Sequence, residues 1–150
     1  MAKSEFSSIE LSRLLYSSSR LLIQQIQLKL NEFGLTYPQF LVLSILWEAD
    51  GLKVHELGKK LNLDSGTLTP LLKKLESQNI LKRKRGEEDE RTVTIHLTYP
   101  GKSLQSKTMN AVGLLENQLE TQMGKEVQKL LPTLEALMNK LTKEILAWKN

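Results

Sequence analysis

The sequence predicts a mainly α-helical chain interrupted once by a small β-hairpin. Three observations carry this reading. Apolar residues recur at three- and four-residue spacing through most of the 150 residues. Period-two alternation rich in β-branched residues occurs at one place, Ile80-Leu81 and then Thr92 to Leu97, around the polar stretch Gly86 to Glu90. The basic surplus is also confined. Residues 53–85 carry nine Lys/Arg against three Asp/Glu, a local +6. The flanks, 1–52 (four basic, five acidic) and 86–150 (eight basic, nine acidic), each come to −1, which leaves +4 for the chain. A merely solvated surface would spread the signs. A localised surplus points to an anionic partner, nucleic acid first. The length makes one domain the first expectation, and the apolar content is enough for a real core.

The elements follow in order. Ser7-Ser8-Ile9-Glu10 has the hydroxyl-to-Glu spacing of a capping box. Leu11, Leu14, Leu15, Leu22, Ile26, Leu30 and Phe33 then repeat at helical spacing, with Leu21, Ile23 and Leu28 widening the face. Gly34 suits a left-handed stop, which gives a first helix over 8–33. Thr36-Tyr37-Pro38-Gln39 starts the second helix, with Pro38 in the first turn, where no N–H is needed. Phe40 to Trp47 is nearly all apolar and predicts burial on most sides, and Asp50-Gly51 ends the helix. Val54, Leu57, Gly58 and Leu61 mark a short helix of about eight residues. Asn62 to Gly66 makes a turn and caps a further helix that runs through about Gln78. If Ser65 is that cap, Pro70 is the fifth helical residue and removes a hydrogen bond; a start at Thr69 avoids the loss but shortens the helix. Both starts are open at this stage.

After the hairpin, Thr98 caps another helix with Pro100 in its first turn, and Met109, Val112, Leu115, Leu119 and Met123 form its stripe. Gly124 should break it. A last helix carries Val127, Leu130, Leu131, Leu134, Leu137, Met138, Leu141, Ile145 and Trp148, and Pro132 should kink or split it near Leu131. Plain packing explains such stripes better than any cofactor box. Yet the terminal helices are longer and more apolar than the short central elements can cover. The partner that fits is a second copy, so a homodimer built from the first and last two helices is expected.

Short helix, turn, second helix and basic hairpin make the plan of a winged helix-turn-helix. In the helix after Asp64, the leucines 68, 71, 72 and 75 line one face, and the other presents Ser65, Gly66, Thr67, Thr69, Pro70, Lys73 and Lys74. Small hydroxyl residues near a helix start can reach base edges and phosphates, and the lysines can reach the backbone. Lys82-Arg83-Lys84-Arg85 follows at once. At the tip, Glu87, Glu88 and Glu90 read as solvated acids. Asp89 is expected to pair with Arg91 and aim its guanidinium into a minor groove. The partner expected from these residues is therefore double-stranded DNA. No Cys is present, His55 and His96 stand alone, and no phosphate-binding loop or nucleophile elbow occurs. No enzyme, metal or cofactor is expected. The first residues lack a signal-peptide core and no run approaches 18 apolar residues, so a cytoplasmic protein without a membrane partner is expected.

The run Leu63-Asp-Ser-Gly-Thr-Leu-Thr-Pro-Leu-Leu-Lys-Lys-Leu-Glu76, with Asp89-Glu-Arg91 and Leu97-Thr-Tyr-Pro-Gly101, resembles the MarR family of bacterial transcriptional regulators. Leu11-Ser-Arg-Leu-Leu-Tyr16, Leu35-Thr-Tyr-Pro-Gln39 and Leu46-Trp-Glu48 place the likeness nearest its organic-hydroperoxide-responsive, OhrR-like branch. It covers most of 9–101 and thins beyond. The resemblance implies one MarR-like domain that dimerises through 8–33 and 102–150. Residues 36–98 would form the winged helix-turn-helix lobe, repressing from a pseudo-palindromic operator.

One departure matters. The branch senses peroxide with a Cys in a Leu-Cys-Phe-x-x-Tyr motif, and here Ser12 follows Leu11. A hydroxyl is not oxidised to a sulfenic acid. One supporting tyrosine of the branch aligns with Ile26 and the other falls on Tyr37. Loss of the sensor in nature and replacement of a Cys by Ser12 are both open, and Ile26 favours loss. By family analogy Ser12, Tyr16, Ile26, Tyr37 and Phe40 would line a pocket for a small aromatic or acyl anionic ligand, or else merely pack the junction. The alternative to a ligand switch is a DNA-binding module controlled through a partner protein.

Overall fold

Each helix begins where a side chain can take up a free amide. Ser7 accepts from Glu10 N–H (3.3 Å) ahead of α1, Ser8–Leu30. Thr36 accepts from Gln39 N–H (3.3 Å) while the Gln39 side chain accepts from Thr36 N–H (3.0 Å), a complete capping box before α2, Tyr37–Glu48. Thr98 accepts from Gly101 N–H (3.2 Å) at the start of α5, Tyr99–Lys149. Between them lie α3 (Val54–Leu61), α4 (Ser65–Ser77), β1 (Leu81–Arg85) and β2 (Val93–Leu97). The structure, a computed structural model, describes residues 5–89 and 91–149. The mainly α chain with one small hairpin is the architecture expected.

Helix ends differ from expectation in three places. The first helix closes through a 3-10 turn, Asn31–Phe33, before Gly34 takes the left-handed conformation (φ 65°). Asp64, not Ser65, caps α4, accepting from Thr67 N–H at 2.8 Å. Pro70 is therefore the sixth helical residue. It supplies no N–H to the Gly66 carbonyl, yet α4 runs on unbroken. In α5 the non-helical residue is Met123 (φ −143°, ψ 24°), next to the Gly124 break foreseen. No second break occurs at Pro132, which the helix contains, at the loss of one backbone bond.

The chain divides into two compact units, Met1–Val112 and Gly113–Asn150. The core of the first is built by Leu30 and Leu35, by Phe40, Val42, Leu43 and Leu46 of α2, by Leu57, and by Leu68, Leu72 and Leu75 of α4, closed by Ile80, Leu81 and Ile95. No residue from Phe40 to Trp47 is exposed, as the apolar run requires. Truncating one of the buried α4 leucines to Ala should cost roughly 2–5 kcal/mol. A glutamine that the pattern did not single out closes the α1–α2 turn. Gln27 accepts from Tyr37 N–H (2.8 Å) and donates to the Leu35 carbonyl (2.9 Å).

β1 and β2 pair antiparallel, with Leu81 opposite Leu97, Arg83 opposite Ile95 and Arg85 opposite Val93. The segment before α3 adds a third edge. Gly51 N–H donates to the Ile95 carbonyl, Ile95 N–H to the Leu52 carbonyl, and Lys53 bridges Thr94. At the other end of the hairpin, Gly101 lies so close to Ile80 that a Cβ would overlap the Ile80 carbonyl oxygen. The Trp47 indole N–H donates to the Gly101 carbonyl at 3.0 Å. These bonds fix the start of α5 against the α4–β1 turn. α1 leaves Ile9, Leu14, Leu21 and Leu28 exposed, and the second unit leaves Leu131, Leu141, Ile145 and Trp148 so.

Candidate nucleic-acid interface

Burial sorts the faces of α4. Leu68, Leu72 and Leu75 point into the core, and Ser65, Gly66, Thr67, Pro70, Lys73 and Lys74 are exposed. Thr69 is half-buried at the margin. A helical row of small side chains is thus followed by two lysines, with six of the seven expected residues on the open side. α3 packs closely on the turn that precedes α4. A Cβ at Gly58 would come within 2.8 Å of the Leu63 carbonyl oxygen, so α3 can approach the turn before α4 only at a glycine.

The hairpin separates the four basic residues of β1 by face. Arg83 and Arg85 share the side of Ile95, which is buried, whereas Lys82 and Lys84 stand opposite His96 and Thr94 on the outer side. Arg83 is engaged within the protein. Glu76 of α4 accepts from Arg83 N–H with one oxygen (3.0 Å) and from Nε and Nη2 with the other (3.1 and 3.0 Å). Those hydrogen bonds hold the Glu76 carboxyl below the usual carboxylate range. Arg83 therefore ties the wing to α4 through Nε and Nη2, and its remaining guanidinium N–H groups stay on an exposed residue. Lys82, Lys84 and Arg85 are exposed.

The expected Asp89–Arg91 pair takes another form. Asp89 Oδ1 accepts from the backbone N–H of Arg91 (3.0 Å), and among the described residues no ion pair joins it to the guanidinium. An aspartate two residues before an amide closes a local turn more readily than it spans to a long side chain. Gly86 N–H to the Thr92 carbonyl (2.7 Å) and Thr92 N–H to the Asp89 carbonyl (3.0 Å) tighten the tip further. Arg91 is left exposed on a fixed backbone. Glu87 and Glu88 are exposed too, and Glu90 lies outside the described residues.

The second constellation is only half assembled. Ile26 and Tyr37 are half-buried and pack on the core that contains Phe40, and burial raises the Tyr37 phenol above its ordinary value. Ser12 is exposed, its hydroxyl donating to the Ile9 carbonyl (2.9 Å). Tyr16 is exposed with the Arg20 guanidinium 5.4 Å over its ring. Fourteen residues of α1 separate Ser12 from Ile26, about 21 Å at 1.5 Å per residue. A single chain does not bring the five together. The basic residues that the motif does not include are Lys53, Lys59 and Lys60, all exposed, with half-buried His96 beside Lys53 on the sheet. Lys53 belongs to the basic segment, but Asp50-Gly51-Leu52-Lys53 has no strand signature to place it there.

Comparison with known proteins adds what geometry cannot. Residues 24–111 match the family model for the transcriptional regulator SarA/Rot. The organic hydroperoxide resistance transcriptional regulator of Bacillus subtilis is 43% identical over 132 residues, covering 88% of this chain and 89% of that protein. Among solved structures, reduced AbfR bound to DNA superimposes with a TM-score of 0.73 at 35% identity, covering 87% of this chain and 95% of the other. NadR in complex with 4-hydroxyphenylacetate does so with a TM-score of 0.73 at 25% identity, covering 92% and 96%. The relatives are regulators and not enzymes, in keeping with the absence of any catalytic motif. This chain belongs to the MarR/SarA family of transcriptional regulators and has a winged-helix fold, without the cysteine that its peroxide-sensing branch employs.

Proposed function

We propose that the protein is a homodimeric repressor of a pseudo-palindromic operator, released by a small aromatic or acyl anionic ligand and not by thiol oxidation. The coarser statement, a DNA-binding transcriptional regulator, rests on its family and on a relative solved on DNA. The observation that carries the finer one is the continuity of an open, small-residue face on α4 with Lys73, Lys74 and the exposed Lys82, Lys84, Arg85 and Arg91 of the hairpin. Residues 36–98 form the reading lobe: α4 enters the major groove through Ser65, Gly66, Thr67, Thr69 and Pro70, and Arg91 enters the adjacent minor groove. Asp89 contributes by fixing the tip, and Arg83 by holding the wing to α4.

Residues 8–33 and 102–150 pair two protomers, which the exposed apolar residues of α1 and of the second unit support. The pocket of Ser12, Tyr16, Ile26, Tyr37 and Phe40 then requires both chains, since one leaves its halves far apart. That a structural relative holds 4-hydroxyphenylacetate supports an aromatic anion as the class of effector. The site of action is the cytoplasm, beside the chromosome; among the described residues no helix is long and apolar enough to cross a membrane.

The test is selection of random duplexes by the purified protein. Enriched sequences should contain inverted half-sites about 10 bp apart, or a multiple of that. Enrichment of single half-sites, or none, would refute the dimeric reading. A second reading, a peroxide regulator with Ser12 where its cysteine belongs, is favoured by the 43% identity to a hydroperoxide resistance regulator. The Ser12→Cys experiment described below decides it.

A further inference from the structure

The third edge of the small sheet extends the outer face of the hairpin to the segment before α3. Residues directly opposite in antiparallel pairs project to the same face. Thr94 is opposite Lys84 on one side and bridges Lys53 on the other, so Lys53, Thr94 and Lys84 form one row across three segments. The next row holds Lys82 and His96, and the His96 ring lies over Gly51, where a Cβ would come within 3.3 Å of it. The lysines are exposed and His96 is half-buried. Two acids border this face, and each has an oxygen on backbone: Asp50 Oδ1 accepts from Gly51 and Leu97 N–H, and Glu56 Oε2 accepts from Lys53 N–H. The sheet thus presents three ammonium groups and an imidazole on its outer side with no acid in either row.

The hydrogen bonding around His96 suits a proton switch. The Thr94 hydroxyl has one hydrogen and lies 3.3 Å from the Lys84 carbonyl and 2.9 Å from His96 Nε2. In an imidazolium both ring nitrogens donate. Nε2 then donates to the Thr94 oxygen, and the hydroxyl hydrogen goes to the Lys84 carbonyl. Taking up a proton costs the site no hydrogen bond.

We propose that this outer face is a phosphate-contacting surface for duplex DNA that reaches past the hairpin lysines to Lys53, and that His96 makes it pH-sensitive, strengthening DNA binding as pH falls through the histidine range. The proposal rests on the DNA-binding reading above. It extends the protein–DNA interface beyond the hairpin tip to Lys53 and His96, along a sugar-phosphate strand and without base readout.

The experiment is fluorescence anisotropy with a labelled mixed-sequence duplex of about three helical turns, at fixed ionic strength. Between about pH 8 and about pH 5.5 the unaltered protein should bind about fivefold more tightly, and its log–log salt slope should steepen by about 0.9 for each imidazolium that meets a phosphate. His96→Gln should abolish both changes. His96→Lys should bind near pH 8 as tightly as the parent does near pH 5.5. His55→Gln, which alters the other histidine, should retain the full pH response. Lys53→Gln should flatten the salt slope by about 0.9 for each protomer that touches the duplex, at either pH. Retention of the acid strengthening by His96→Gln, or an unchanged slope for Lys53→Gln, overturns the proposal and leaves DNA binding through α4 intact. Absence of duplex binding by the parent near pH 8 would instead defeat the DNA-binding reading itself, and the proposal with it.

Discussion

Lys84 and Arg83 are sequence neighbours with opposite assignments, because a strand turns alternate side chains to opposite faces. Lys84 faces out, and Arg83 faces α4 in a three-bond clamp with Glu76. Lys84→Ala should weaken binding evenly across duplex sequences and reduce the salt slope by about 0.9 for each phosphate that its ammonium neutralises. Arg91→Ala should instead relax preference at the base pairs beneath the wing, which a comparison of selected and scrambled duplexes would reveal. Loss of sequence preference in the lysine variant, or uniform weakening in the arginine variant, would exchange the two roles. For Glu76 the folded-state carboxyl is lowered by Arg83. The pair therefore adds stability above the unfolded carboxylate range, about pH 4.3, and that stability is lost as pH falls through the lowered folded value. Glu76→Gln should be less stable than the parent in urea unfolding near neutral pH, and the gap should close in acid. The run of four basic residues is plain in the sequence. Which of them looks outward is legible only from the register, and the Glu76 clamp only from the fold.

Helix starts are the elements most legible in the sequence, because capping is local chemistry. Thr36 with Gln39, and Thr98 with Gly101, sit where their spacing puts them. The α4 start differs by one residue: Asp64 and Ser65 both have capping side chains, and only the geometry of Leu63 leaving α3 decides which one meets the Thr67 amide. Asp64→Ala should cost about 1 kcal/mol in urea unfolding, and Ser65→Ala a few tenths at most. The reverse order would return the cap to Ser65. At Pro132 the split half of the expectation does not occur. A proline in a helical pattern reads as a break, but it costs one amide bond and a carbonyl clash, which a helix can absorb; the non-helical residue is Met123, beside Gly124. The Leu52–Lys53 edge is invisible in the sequence because its residues have no strand propensity, and β2 supplies the order.

Whole-chain expectations turn on surface that one copy leaves open. Ile9, Leu14, Leu21 and Leu28 of α1, and Leu131, Leu141 and Ile145 of the second unit, are each more than half exposed. Sedimentation equilibrium at micromolar concentration should return twice the chain mass; the monomer mass alone would remove the basis for a two-chain pocket. The distance between Ser12 and Ile26 follows from helix rise and can be read from the sequence, but whether a partner closes it cannot.

The response to peroxide follows from the same pair of halves. A peroxide switch in this fold needs a low-pKa thiolate near the start of α1 whose oxidation favours a conformer unsuited to the operator. Ser12 is exposed there, its hydroxyl donating to the Ile9 carbonyl, and an alcohol oxygen, unlike thiolate sulfur, does not form a sulfenic acid. The four methionines can form sulfoxides, but slowly and as damage, without the thiolate that a fast, thiol-reversible switch needs. DNA binding by the parent should therefore be indifferent to cumene hydroperoxide at concentrations that oxidise thiols. A ligand, by contrast, can act only through unequal affinity for two dimer conformers, and a shift from mostly bound to mostly free requires a ratio on the order of 10⁴. Anisotropy titrations with and without the hydroperoxide, repeated on Ser12→Cys, separate the cases. Rapid, thiol-reversible release by the parent would refute the ligand reading. Release by Ser12→Cys alone would show that the route from the start of α1 to the DNA-binding lobe is intact although Ile26 stands where the branch has a tyrosine. Indifference in both would mean that the route, and not merely the thiol, has been lost.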